Sequence, residues 1–522
     1  MKDIKKHTGS YYTPDFLAGF ISKRVLSHFE GRKRISILEP SVGNGSFIAE
    51  LDKSKLAINV TAIDINVQEL KYAKSKWNGN KSAFINSDFL NFNTEKKFSA
   101  IIGNPPYVKK SFLKEEQIEI AKRIHEKEGL SETSVKNIWT TFLIKSNTHL
   151  ASSGVLAFVL PSELLQVKFA EEIREYLKNQ FQRIEIFTFN DLMFECKGQD
   201  TIVLFAYKLH SQKGEYFTNI VNKNSLIDQS FELKNNDLLV ESKVKWTHHF
   251  LSNDEIIFLK RLKESLSKIN DYCESKPGIV TAANKFFIID RQIEEKFNLS
   301  NYTKPIIQKG YYVNGSVEFN YSDFANLENK HPSRLIQLNN SDIINNDLKK
   351  YLEIGVEQEI PKRYKCTKRN NWYVIPNIAN SPDAFFFKRS HHYPKLLKNN
   401  TNALVTDSAY KVMVREGFDL NSLIFSFYNS LTLAFSEIDG RYYGGGVLEL
   451  TPNEFKNLPI PYVAINNQDF VEFVNRFENK NNINEVLHIN DKLILNKVLN
   501  LSLPDIEKIQ NIRKKLITKR MR

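Results

Sequence analysis

The sequence predicts a doubly wound α/β domain with a mostly parallel sheet, followed by a mixed α+β region and a helical tail. Three observations carry that reading. Short apolar runs alternate with helix-like segments over roughly the first 210 residues. The polar residues of chemical interest fall where those runs end. After about residue 215 Asn and Lys become frequent and the alternation stops.

In chain order, 35–39 reads as a buried strand, followed by Gly43-Asn44-Gly45 and a helix from Ser46. A second strand is expected at 58–64 with a helix over 66–77, a third at 83–86 and a fourth at 98–103. A helix at 139–150, a strand at 155–160 and a helix at 166–178 come next, and strands at 184–189 and 201–207 close the domain. Beyond it a helix is expected over 250–268, short strands and aromatics over 276–460, and one or two helices from 467. The expected domains are therefore 1–215, 216–466 and 467–522.

Composition narrows the class. With 522 residues, 41% hydrophobic and 25% charged, the chain is neither disordered, collagen-like nor a membrane bundle. The net charge of +13 and pI of about 9.2 suit a nucleic acid or an anionic membrane. Residues 361–400 are the densest internal part, with nine Lys/Arg against Asp383 alone, whereas the basic tail 508–522 reads as a solvated helix end. Cys196, Cys273 and Cys366 are odd in number and far apart, with neither disulfide nor zinc-ligand spacing, so a reducing, cytoplasmic compartment is expected. No signal-like apolar segment follows Met1 and no run of 18 apolar residues occurs, so no membrane association is expected. The adjacent pairs His248-His249 and His391-His392 do not share a helix face, no HExxH pattern occurs, and no metal is expected.

The chemical signature is Asn104-Pro105-Pro106-Tyr107, directly after the fourth strand and so at the ligand edge of the sheet. An exocyclic amino group is a poor nucleophile because its lone pair is delocalised into the ring. Two acceptors, the Asn104 side-chain oxygen and the Pro105 backbone carbonyl, would take its hydrogens and free that pair. The prolines stiffen the chain that presents the carbonyl, and Tyr107 offers a face on which a flipped-out base can stack. Upstream, Glu39-Pro40-Ser41-Val42-Gly43-Asn44-Gly45 follows the first strand without a full GxGxxG, and no ATP-binding P-loop occurs. Glu39, Asp64 and Asp88-Phe89 end three successive strands. They suit a ligand with a charged amino-acid end, a ribose and an adenine, and S-adenosylmethionine is such a ligand.

These residues in this order resemble the gamma group of amino-directed DNA methyltransferases, which methylate adenine at its exocyclic nitrogen. Gly9-Ser10-Tyr11-Tyr12-Thr13-Pro14 is similar to the family's motif X and precedes the Glu39 loop. The resemblance implies a Rossmann-like methyltransferase domain followed by a DNA target-recognition domain, with S-adenosylmethionine as cofactor. It implies that Tyr12, Thr13, Glu39, Pro40, Ser41, Gly43, Asp64, Ile65, Asp88, Phe89 and Asn104 bind the cofactor, Thr13 near its carboxylate and Glu39 on its amino group. Asn104, Pro105, Pro106 and Tyr107 would be catalytic, and Phe194 would sandwich the target base against Tyr107. Residues 154–161 resemble a later sheet motif. The stretch 278–287 resembles the start of the recognition region, with Ala282 where glycine is usual, and 443–450 with 458–461 resembles its end.

The expected reaction is direct methyl transfer to N6 of a flipped-out adenine in double-stranded DNA, as the modification component of a restriction–modification system. Because motif X begins by residue 8, the expectation is a stand-alone modification enzyme, with any endonuclease partner on another chain, or an orphan regulator of the host genome. RNA or a glutamine amide of a protein is the alternative substrate. Basic residues interleaved with aromatics over 362–373 and 385–389 suggest DNA contacts by Lys365, Lys368, Arg369, Lys388 and Arg389, with Lys285 in the recognition-like stretch.

Overall fold

Strand β1 (Arg34–Glu39) is apolar on both faces, and a strand of that kind belongs in the middle of a sheet covered on both sides. In the computed structural model β1 lies inside a nine-stranded sheet of order β3-β2-β1-β4-β5-β7-β6-β8-β9. The structure describes residues 12–79, 81–189, 200–235, 245–246, 250–313, 316–376, 378, 380–443, 445–478 and 483–521. The other strands are β2 (Ala57–Asp64), β3 (Ser82–Asn86), β4 (Phe98–Gly103), β5 (Leu150–Pro161), β6 (Arg183–Phe189), β7 (Thr201–Tyr207), β8 (Gly214–Ile220) and β9 (Lys234–Asn235). Strands β3, β2, β1, β4 and β5 run parallel. β7 inserts antiparallel between β5 and β6.

The strand alternation divides the core into two layers. Leu38, Ile101 and Leu156 join one layer with Trp139 and Phe142. Ile37, Ala100, Ile102 and Val155 join the other with Leu17, Phe20 and Ile21 of the helix Asp15–Ser27. The strand order reverses between β1 and β4, so the helices leave to opposite faces there and a crevice opens beyond the strand ends.

Several expectations are corrected here. The sheet does not close at Tyr207, because β8 adds in parallel to β6 and β9 follows antiparallel. The chain divides into compact units at Ile256/Ile257, not near 215. The expected helix 166–178 is two pieces, Glu163–Gln166 and Glu171–Gln180, and the helix Glu115–Lys127 was not anticipated.

The second unit carries its own sheets. Cys273–Pro277, Ala409–Val414, Ala384–Phe387, Lys395–Asn399 and Glu318–Phe319 form a five-stranded sheet in that order. Ile288–Ile289, Arg334–Ile336, Thr303–Ile307 and Leu404–Val405 form a four-stranded one. The tail contributes the helices Asn467–Glu478, Ile483–Asp491 and Leu503–Arg520, which belong to this unit and not to a separate segment. Nor is 508–522 simply a solvated end. Arg513 and Arg520 are buried, and Arg520 pairs with Glu437 at 2.8 Å, while Lys514 and Lys515 stay exposed. No helix among the described residues is long and apolar enough to cross a membrane.

Candidate active site

β1 ends on Glu39, and the chain then turns on glycines. Gly43 has φ 49° and Gly45 φ 71°, a region that L side chains avoid. A Cβ on Gly45 would lie 2.8 Å from Ala73, so the loop sits tight on the helix Val67–Ser75. Asp64, at the end of β2, latches this loop. Its carboxylate accepts the Gly43 N–H at 2.8 Å and the Asn66 N–H at 2.8 Å. Each oxygen retains a lone pair for a further donor.

Glu39 is 1% exposed, and its Oε2 has no hydrogen-bond partner among the described residues. Burial, then the charge of Asp64, pushes its carboxyl well above the usual carboxylate range. Thr13 Oγ1 is likewise buried without a partner among the described residues. Two buried polar atoms without partners are costly unless a ligand supplies them. Tyr12, about half exposed, donates its hydroxyl to Glu69 at 2.7 Å, and that bond helps push its pKa up to about 12.

Asp88 caps the short turn Phe89–Asn91 by accepting the Leu90 N–H at 2.9 Å. Its other oxygen accepts from Gln117 Nε2 at 2.9 Å. Phe89 packs against Phe142 with ring centroids 5.0 Å apart. Lys145 is buried beside it and donates from Nζ to the Leu90 carbonyl at 2.6 Å, and burial lowers its amine to about 8. Ile65, by contrast, is 70% exposed at the cavity rim.

β4 ends on Gly103, where a Cβ would lie 3.4 Å from the Pro40 ring, so the loops after β1 and β4 lie side by side. Ser41 Oγ ties them by donating to the Asn104 carbonyl at 3.1 Å. Tyr107 is only 8% exposed and donates its hydroxyl to the Val159 carbonyl on β5 at 3.0 Å.

These elements enclose one cavity of about 470 Å³, a size ordinary for a small-molecule site. Every residue expected on the cofactor side, from Tyr12 and Thr13 to Phe89 and Asn104, borders it, as does Pro106. Pro105 and Tyr107 are buried and flank Pro106, which borders the cavity. Phe194 lies outside the described residues, as do the motif X residues Gly9, Ser10 and Tyr11. Sequence reasoning missed Val42, Phe47, Phe112, Gln117 and Phe142 in the wall. Most of these are apolar, and a side chain lining a cavity follows the same periodicity as one filling a core. Gln117 had a usable signal, because Ile120, Ala121 and Ile124 mark its helix by their spacing.

The basic residues of the second unit divide. Lys285, Lys365 and Lys368 are exposed. Arg369 is turned inward, where its guanidinium donates to the carbonyls of Thr281 at 2.9 Å and Trp372 at 3.0 Å and lies over Phe287. Lys388 is half-buried, and Arg389 pairs with Glu449 at 2.9 Å. Phe385, Phe386 and Phe387 are buried in a strand, and Phe386 stacks on Phe455 at 3.9 Å. The expectation that 362–389 presents one basic and aromatic face holds only in part, because Phe385, Phe386 and Phe387 are buried and Arg369 is turned inward, whereas Tyr364 is exposed with Lys368 over its ring. Ala282 adopts φ 68°, the conformation for which glycine is usual.

Two family models match the chain. Residues 20–194 match the Eco57I restriction-modification methylase, and 243–495 match the C-terminal domain of the type II methyltransferase M.Eco57I. The type II methyltransferase M.AccI of Acinetobacter calcoaceticus is 24% identical over 524 aligned positions, covering 94% of each chain. M.HincII of Haemophilus influenzae is 27% identical over 53% of this chain and 51% of its own. The modification methylase CviBIII of Paramecium bursaria Chlorella virus NC1A is 31% identical over 34% of this chain and 44% of its own. Among solved structures, the type IIL restriction-modification enzyme MmeI in complex with DNA shares the fold. Its TM-score is 0.59 at 11% identity, over 96% of this chain and 75% of that one.

Proposed function

We propose that this chain, which belongs with the type II restriction–modification methylases by both of its family regions, methylates N6 of adenine in double-stranded DNA with S-adenosylmethionine as donor. The observation that carries the reading is the meeting of two loops at one cavity. Glu39 and Thr13 keep buried oxygens on one side, and Asn104 and Pro106 border the other. Buried Glu39, whose Oε2 has no hydrogen-bond partner among the described residues, suits the cofactor's ammonium, and Thr13 suits its carboxylate. Asp64 keeps lone pairs for ribose hydroxyls, and Asp88 with Phe89 suits the adenine. When bound, the cofactor supplies an electrophilic methyl group on a sulfonium.

The chain's own residues do the rest. The Asn104 side-chain oxygen and the Pro105 carbonyl accept the two amino hydrogens of the target base, which frees the nitrogen lone pair. The Ser41 bond holds the Asn104 backbone in register with the Glu39 loop. The Tyr107 hydroxyl, anchored on Val159, fixes the ring on which the base stacks, with Phe194 expected as the opposite wall. S-adenosylmethionine held by Glu39, Thr13, Asp64 and Asp88 would supply the methyl group and leave as the neutral thioether, while the hydrogen bonds to Asn104 and Pro105 would orient the nitrogen, which sheds its surplus proton to solvent. Catalysis is then positioning and electrostatics.

The second unit supplies the recognition of duplex DNA. Incubation with methyl-labelled cofactor and separate samples of duplex DNA, ribosomal RNA and protein tests the reading. Label is expected in DNA alone, and label in RNA or in a glutamine amide would overturn it.

A further inference from the structure

The second unit presents one rigid aromatic surface that sequence reasoning passed over. Tyr311 is 60% exposed and meets Tyr312 edge to face, with centroids 4.5 Å apart. Tyr312 in turn stacks on His331 at 3.9 Å with the rings 15° from parallel. Lys309 Nζ lies over both tyrosines, 5.5 Å and 5.9 Å from their centroids. The turn Gly310–Tyr312 that carries the rings is pinned from beneath. Half-buried Lys395 donates to the carbonyls of Gly310 at 3.1 Å and Val313 at 2.8 Å. A Cβ on Gly310 would meet the Phe387 ring at 2.8 Å, so the turn rests directly on the sheet.

A solvent-facing ring on a pinned turn pays little ordering entropy when it binds. Its partner must offer a flat apolar face beside a negative charge, since Lys309 stands at the ring. A nucleotide offers both, a base face and a phosphate. Removing one base from a duplex leaves neighbouring bases unstacked, and an aromatic side chain can replace the lost stacking.

We propose that Tyr311 stacks on an unstacked base of the bound DNA, with Lys309 on the adjoining phosphate. Tyr312 and His331 act as the support of that ring. The proposal rests on the reading of the chain as a duplex-DNA methylase and names the residues of the second unit that hold the distorted duplex.

The test is binding of a fluorescent duplex carrying the site mapped by methylation in expressing cells, with S-adenosylhomocysteine present. Tyr311→Ala is expected to weaken binding about tenfold, a stacking-sized effect, whereas Tyr311→Phe keeps wild-type affinity. Lys309→Ala is expected to lower the slope of log K against log salt by about one. Because Tyr311 is exposed, thermal melting of both variants should match wild type. Wild-type binding with unchanged affinity in Tyr311→Ala overturns this proposal and leaves the methylase reading standing. Wild-type protein that binds no duplex overturns both.

Discussion

In the first unit, Glu39 and Asp64 end parallel strands, Asp88 follows a third, and all three border a cavity. In the second, Arg369, Trp372 and the three phenylalanines from Phe385 to Phe387 turn away from solvent and hold the unit together. The difference is one of constraint. A parallel sheet whose order reverses forces its strand ends toward one crevice, so a polar residue there has few structural tasks. In an irregular region of short strands, an arginine often serves as the hydrogen-bond donor for loop carbonyls, as Arg369 does for Thr281 and Trp372. Charged residues picked from a linear string therefore border one cavity in the first unit and divide between surface and interior in the second.

The sharpest break between the units would come from Asn104→Ala. Turnover is expected to fall at least 10²–10³-fold, with cofactor binding retained by calorimetry and no change in melting. Next, Glu39→Gln keeps the shape of the pocket but removes the charge, and cofactor affinity is expected to drop about ten- to a hundredfold. Glu39 also sets a pH dependence. Its folded pKa is raised, so above the unfolded value the folded state holds the proton more tightly, and stability falls as pH rises toward the folded pKa. Cofactor that binds the carboxylate form releases that proton. Wild-type binding should therefore shift with buffer ionisation enthalpy, and Glu39→Gln should not.

In the second unit the expected pattern is a split between neighbours. Arg369→Ala should lower stability by about 2 kcal/mol, because it strips buried carbonyls of a charged donor. Lys368→Ala should leave melting unchanged and reduce the salt slope of DNA binding by about one. If the two variants behaved alike, the assignment of Arg369 to the interior would fail. The smallest effect is Ala282→Gly. It relieves a left-handed alanine and should stabilise by about 0.5–1 kcal/mol in denaturant titration.

Much of the first unit was legible in the sequence. The strand expected at 98–103 is β4 (Phe98–Gly103), and the one expected at 35–39 is β1 (Arg34–Glu39), because apolar runs between turn residues have few other uses. β8 was missed because Gly214–Ile220 is short and mixed and gains its strand state by pairing with β6. Glu39, Asp64, Asp88 and Asn104 were legible by position, whereas Phe47 and Phe142 were not, since contact with a ligand and contact with a core select the same side chains. Gln117 comes to Asp88 from 29 residues further along the chain, through tertiary packing that no local pattern encodes.

The central claim is that Asn104 and its loop direct methyl transfer to an adenine amino group in DNA. Mass analysis of nucleosides in DNA from cells expressing the wild-type chain or Asn104→Ala tests it most directly. The account predicts N6-methyladenine with the wild type and none above background with Asn104→Ala. N4-methylcytosine instead, or N6-methyladenine undiminished by the substitution, would contradict it.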